Sequence, residues 1–199
     1  MKLFFPLKVV ANALLAGISI SLGTYVCLQV QGLAGAIFYS IGLMAVAHYQ
    51  LLLYTTSVHK ASSVTECFYL FLILLLNQIG CWLSSLMIDD PEIIATCKEI
   101  TDQRAHLGFA GAVVQGLGCG FIITMGAQTW RRNKWILLIG TPAFILAGFN
   151  HAISDVFVYY VGGNAGSSWH ALTAYAGTLA GNFIGGSIYK LGTVEKKIK

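Results

Sequence analysis

An all-helical membrane protein, with six transmembrane helices arranged as two halves of three, is the fold class this sequence predicts. Three observations predict it. The 199 residues are 56% hydrophobic and only 10% charged, too little polar surface to cover a soluble globule. The mean hydropathy is +0.72. The apolar stretches are long and uninterrupted rather than alternating, which selects helices over a barrel, since only these two structures satisfy their backbone hydrogen bonds inside hydrocarbon.

A spanning helix needs about 20 apolar residues, and six runs qualify: Val9 to Val30, Leu33 to Val58, Cys67 to Ile88, Ala105 to Trp130, Trp135 to Val161 and Trp169 to Tyr189. Only the fifth holds an acidic or basic residue well inside it, Asp155. The first run is too long for a signal peptide and lacks a small-residue cleavage pattern, so it is expected to stay in a protein that begins at Met1. Residues 1–199 form one domain on this reading, without room for a soluble one.

Orientation follows from the basic residues. If six helices alternate, Lys2, Lys8, Lys60, Arg131, Arg132, Lys134, Lys190, Lys196, Lys197 and Lys199 fall on one side, ten of the twelve in the chain. The opposite side has only Lys98 and Arg104, in an expected loop, Asp89 to Arg104, that also carries Asp89, Asp90, Glu92, Glu99 and Asp102. Both termini are therefore expected in the cytoplasm, with the chain passing repeatedly through the cell's inner (plasma) membrane. The net charge of +4 then reflects this orientation, with no sign of nucleic-acid binding. Residues Gly162 to Ser168 read as a flexible external turn, and Thr193 to Lys199 as a solvated basic tail.

The halves 1–90 and 105–190 echo each other. Asn77-Gln78-Ile79-Gly80 in the third run matches Asn182-Phe183-Ile184-Gly185 in the sixth, 105 residues on, and Asn12 stands 103 before Gln115. With three helices per half, the copies are predicted to lie inverted in the bilayer, a pattern that puts a transport site near the midplane. Chance matches in Gly-rich apolar sequence are the rival explanation.

Polar residues within the runs mark candidate sites. Gly148-Phe149-Asn150-His151-Ala152-Ile153-Ser154-Asp155 puts four polar side chains at membrane depth, where an ionisable group costs about 3 kcal/mol or more unless a cavity or partner receives it. His151 and Asp155 share a face of a continuous helix and are placed to share a proton, unless they simply bond two helices together. His48-Tyr49-Gln50 interrupts the second run and marks either a broken helix lining a cavity or the end of the span ahead of Lys60. The five cysteines form no CxxC pair and read as small buried hydrophobes, with no metal site or cofactor implied. The density of glycine in the fourth and sixth runs suits close helix packing.

Four of these motifs, in order and on matching helices, resemble those of the formate/nitrite transporters, a family of pentameric channels for small monovalent anions. Leu53-Tyr54-Thr55-Thr56 is similar to its Leu-Phe-Thr-Ser, the spacing Gly111, Gln115, Cys119 to its fourth-helix pattern, Gly148-Phe149-Asn150-His151 to its Gly-Phe-Glu-His, and Gly181 to Gly186 to its Gly-Asn-x-x-Gly-Gly. The resemblance covers most of the chain. It implies an aquaporin-like architecture with broken second and fifth helices, a homopentamer, and no enzymatic activity. It also implies that His151 is a central pore histidine hydrogen-bonded to Thr55, with Leu53 near the cytoplasmic constriction, Tyr54 beside it, Phe149 close to the pore, and Lys98 as the vestibular lysine. Gln115, Asn150 and Asp155 depart from the family's usual Asn, Glu and Asn, altering charge near the centre.

The expected function is passage of a small weak-acid anion such as formate or nitrite together with protons. Histidine suits this because its ordinary pKa of about 6.5 lets it gain and lose a proton near neutrality. Two alternatives stay open. A channel for water, ammonia or urea would be separated by comparing neutral with anionic solutes, although no Asn-Pro-Ala motif is present. A haem-binding redox enzyme using His48, His106, His151 or His170 would show a Soret band.

Overall fold

The computed structural model describes residues 6–163 and 169–192, so the external turn and the basic tail expected from the sequence lie largely outside the described residues. Within them the chain forms helices α1 (Leu7–Val30), α2 (Gly32–Tyr49), α3 (Tyr54–Ser57) followed by a 3-10 turn (Val58–Lys60), α4 (Val64–Ser85), α5 (Pro91–His106), α6 (Gly108–Thr129), α7 (Trp135–Leu146), α8 (Ala152–Val161) and α9 (Trp169–Gly192). No strand occurs among the described residues.

Among the described residues four helices, α1, α2, α4 and α6, are long and apolar enough to cross a membrane. The fifth apolar run does not make one helix. It divides into α7 and α8, of 12 and 10 residues, separated by an extended stretch around His151. The second run divides as well, after Tyr49. Each break has a backbone cause: Gln50 takes a left-handed conformation at φ 54°, and Gly148 takes φ 75°, after which the chain cannot continue the helix.

A break inside hydrocarbon frees backbone groups that must find partners. Two asparagines supply them. Asn77 of α4 accepts the N–H of Tyr54 at 2.8 Å and donates to the carbonyls of Leu52 at 2.9 Å and Ala13 at 2.8 Å. Asn182 of α9 accepts the N–H of Ala152 at 2.9 Å and donates to the carbonyls of Asn150 at 2.9 Å and Gly116 at 2.8 Å. Both asparagines are fully buried, and each joins a break to a long helix.

Packing around the two clamps is equally alike. α1 packs on α4 and α6 packs on α9, with α2 against α1 and α7 against α6. Glycines permit the close approach: a Cβ on Gly17 would strike the Asn77 carbonyl and one on Gly120 the Asn182 carbonyl, while Gly80 and Gly185 meet the carbonyls of Leu14 and Leu117.

The charged stretch after α4, expected as a loop, is mostly helix. The Asp90 carboxylate caps α5, accepting the N–H groups of Glu92 at 2.9 Å and Ile93 at 3.4 Å, and Pro91 sits where its missing N–H costs nothing. The Gln29 amide donates to the same carboxylate, and together with these two N–H groups it holds the Asp90 carboxyl below its usual range. Ile93, Cys97 and Thr101 turn inward, and α5 packs on α8 and α9. The cysteines carry no disulfide among the described residues. Cys81, Cys97 and Cys119 are buried as expected, Cys27 is half-buried, and Cys67 is exposed, since it sits one turn into α4 on an outward face.

Candidate functional site

The two broken helices meet at His151. Its position follows from the local sequence: after Gly148 the chain is extended, and His151 occupies the position that caps α8, where its Nδ1 accepts the Ser154 N–H at 3.2 Å. Nε2 lies 2.9 Å from the Thr55 hydroxyl of α3. Nδ1 also lies 3.1 Å from the Tyr39 hydroxyl of α2. A nitrogen that accepts a backbone N–H carries no proton of its own, so the neutral ring holds its proton on Nε2 and donates it to Thr55.

The polar contacts continue past the ring. Tyr39 Oη is 2.8 Å from Ser154 Oγ, which is 2.7 Å from Thr24 Oγ1 of α1. All these side chains are buried. Phe144 of α7 packs edge-on against Tyr39, with ring centroids 5.8 Å apart, and tilts over His151 at 6.2 Å.

A cavity of about 130 Å³ lies on the α5 side of the histidine, lined by His151, Tyr39, Ser154, Thr24, Arg104 and Asp155 among others. Arg104 reaches into it from α5, with one terminal nitrogen 3.1 Å from the Gly148 carbonyl and Nε 3.7 Å from Asp155 Oδ1. That separation is an ion pair without a direct hydrogen bond. A second cavity of about 390 Å³ lies where Lys60 and Arg131 stand, lined also by Gln50, Leu51, Leu52 and Thr56. The two share no lining residue.

Of the residues singled out in the sequence, His151, Phe149 and Asp155 line the smaller cavity. Asp155 does not face the histidine as a proton-sharing pair. The helix begins only after His151, and the carboxylate turns to Arg104 instead, no hydrogen bond joining it to the imidazole. Thr55 meets His151 directly. Leu53 is fully buried beside it in sequence and lines neither cavity. Tyr54 is turned to α9, its hydroxyl donating to the Leu179 carbonyl at 3.1 Å. The Gln115 carbonyl accepts the Asn150 N–H at 3.3 Å, and the Asn150 amide donates to Thr178 at 3.2 Å. The Gln115 and Asn150 side-chain carbonyl oxygens have no hydrogen-bond partner among the described residues.

Lys98 is exposed on α5 and does not line the cavity, where Arg104 stands. Three residues the sequence reading did not single out therefore line the site, Arg104, Tyr39 and Thr24, and Ser154, marked there only as one of four polar side chains, joins them. Arg104 had been set among loop charges. Its place six residues, nearly two helical turns, beyond Lys98 becomes informative only once α5 is known to be a helix. Tyr39-Ser40 is a polar pair in an apolar run, a signal that was available.

Two interrupted helices thus bring a histidine and a threonine together beside the Arg104 cavity, and comparison with known families sets this membrane protein among transport proteins rather than enzymes. The chain belongs to the formate/nitrite transporter family, whose model, described as "Formate/nitrite transporter", matches residues 4–194. Among solved structures it is similar to a "Pentameric formate channel with formate bound", at 19% identity and a TM-score of 0.77 over 94% of both chains. It is also similar to an "FNT family ion channel", at 16% identity and a TM-score of 0.72, covering 94% of this chain and 89% of the other. Among curated proteins no significant match is found.

Proposed function

We propose that this protein is a channel for small monovalent weak-acid anions, formate or nitrite among them, and that passage is linked to protons through His151. The observation that carries the reading is the contact of His151 with Thr55 at the meeting of the two breaks, with the same ring lining the Arg104 cavity. Formate as the anion is suggested by the similar pentameric channel that holds it.

In this mechanism an anion is drawn toward Arg104 in the α5-side cavity. Going further as an ion is costly, because the buried neck provides no counter-charge for what it strips of water. Transfer of a proton at His151 removes most of that cost, and the neutral acid passes Thr55 and the apolar Leu53 to the wider cavity by Lys60 and Arg131, where it ionises again. Gln115, Asn150, Phe149 and Tyr54 shape the path, and Lys98 contributes positive potential from the surface of α5.

The same proposal covers the architecture: six spans, with residues 1–90 and 105–190 as inverted copies. The matched asparagine clamps and glycine approaches support it. The α5 side is then external, and both termini are cytoplasmic in an inner (plasma) membrane. The protein works as a homopentamer in the lipid bilayer, as the similar pentameric formate channel suggests.

The test is formate flux in proteoliposomes across a pH series, with nitrite, hydrosulfide, acetate and lactate alongside and urea as a neutral control. His151→Phe is expected to lower formate flux about a hundredfold and to abolish its pH dependence. Unchanged pH-dependent flux in that variant refutes the relay. Rapid urea flux with no anion flux establishes the neutral-solute alternative instead.

A further inference from the structure

We propose that the hydroxyls of Ser154 and Tyr39, with Thr24 behind them, form the path along which protons pass between the α5-side cavity and Nδ1 of His151. This deepens the proton-linked reading above and rests on it. The oxygens stand in a row at 2.7 Å from Thr24 to Ser154, 2.8 Å from Ser154 to Tyr39, and 3.1 Å from Tyr39 to the imidazole. Thr24, Ser154 and Tyr39 all line the cavity.

A row of hydroxyls conducts only if its hydrogens can point either way, and this one has two complete orders. In the first, Thr24 donates to Ser154, Ser154 to Tyr39 and Tyr39 to Nδ1. In the second, Tyr39 donates to Ser154 and Ser154 to Thr24, whose own hydrogen goes to the Ile20 carbonyl at 2.8 Å. Every hydroxyl hydrogen has an acceptor in both; the Ser154 N–H shares Nδ1 with the Tyr39 hydroxyl in the first and loses it only while the ring is protonated.

The proton count closes. A proton arriving at Ser154 from the cavity displaces that residue's hydrogen to Tyr39, and Tyr39 passes its own to Nδ1. Each hydroxyl ends with one hydrogen and the ring becomes imidazolium; the second order is complete once the Thr24 hydrogen turns to the Ile20 carbonyl and that of Ser154 turns to Thr24. Discharge runs the same steps in reverse, or leaves from Nε2 toward Thr55. The Ser154 N–H gives up its acceptor while Nδ1 is protonated, which favours return to the neutral ring.

The other ionisable groups around the ring are Arg104 from α5, Asp155 from α8 and Cys27 from α1, which line the same cavity, and Cys119 of α6, within electrostatic range of Tyr39. None hydrogen-bonds to the imidazole. The ring partners are Tyr39, Thr55 and the Ser154 backbone.

Substitution at Ser154 separates this role from a steric one. If the residue only fills space at a narrow point, Ser154→Ala speeds passage and the bulkier Ser154→Thr slows it. If its hydroxyl carries the proton, the order reverses. The full-length protein is reconstituted with a pH-sensitive dye inside the vesicles, and formate uptake and proton uptake are read together. Ser154→Ala and Tyr39→Phe, the latter keeping its ring against Phe144, are expected to lower proton-linked formate uptake about tenfold, with Ser154→Thr within about twofold of the parent. Ser154→Ala at or above the parent rate, or Ser154→Thr as slow as Ser154→Ala, overturns the path. Formate uptake by the parent protein with no proton movement overturns the proton-linked reading itself, a result distinguishable from failure of the row alone.

Discussion

The two breaks in this protein are held by the same device and hold different things. At residues 50–53 the Asn77 amide replaces the missing helical partners, and the Asn12 side chain accepts the Leu52 N–H at 2.6 Å. At residues 147–151 the Asn182 amide does the same, but the Gln115 backbone carbonyl accepts the Asn150 N–H, and the Gln115 side-chain oxygen is left without a partner among the described residues. The first break delivers apolar Leu53 and, to the histidine, one hydroxyl, that of Thr55. The second delivers His151, Ser154 and Asp155 to a charged cavity. The backbone requirement is shared because hydrocarbon imposes it on any interrupted helix. The side chains carried at each break are free to differ, and there the chemistry lies.

The largest expected effect tests the shared device. Asn77→Leu and Asn182→Leu each remove three hydrogen bonds and strand buried backbone groups, costing about 3 kcal/mol or more each. Thermal unfolding of the purified protein in detergent measures this, and a cost more than about twofold larger at one asparagine than at the other breaks the equivalence. Next in size are Gly17→Ala and Gly120→Ala. Each pushes a methyl group into the backbone of its asparagine, and each is expected to cost about 1–3 kcal/mol in the same measurement.

The chemical difference is tested at the ion pair that, among the described residues, stands at the second break. Asp155→Asn leaves the Arg104 charge uncompensated toward the cavity and is expected to lower the KM for formate about threefold, while Arg104→Gln raises it by at least as much. Initial flux against formate concentration reads both, and equal shifts in the same direction refute the assignment. The smallest effect belongs to the α5 cap. The lowered pKa of Asp90 means that its contribution to stability is present above the ordinary carboxylate value of 3.8 and fades as pH falls through the lower folded value. The parent should therefore melt slightly above Asp90→Asn near neutrality and converge with it in strong acid.

Much of this was legible before the structure. Run length located the apolar helical segments, though the second and fifth runs each fold as two, and the polar cluster around His151 stood out because ionisable groups at that depth need a reason. The repeated Asn-x-x-Gly was visible, yet its purpose was not, since one amide spanning a break and a neighbouring helix is a fact of three dimensions. Lys98 was singled out by the family resemblance alone, and along a supposed loop nothing told its direction from that of Arg104. Once Asp90 starts a helix, Arg104 points inward and Lys98 outward.

Composition and hydrophobic run length by themselves determined that this chain is a bundle of helices in lipid, because the cost of unsatisfied backbone in hydrocarbon leaves almost no alternative. The partners of His151 were decided only by tertiary structure. Thr55, Tyr39 and Ser154 come from three helices, and which of their groups reach one imidazole depends on where each helix breaks and how closely glycine lets it approach, distances that a linear spacing does not encode.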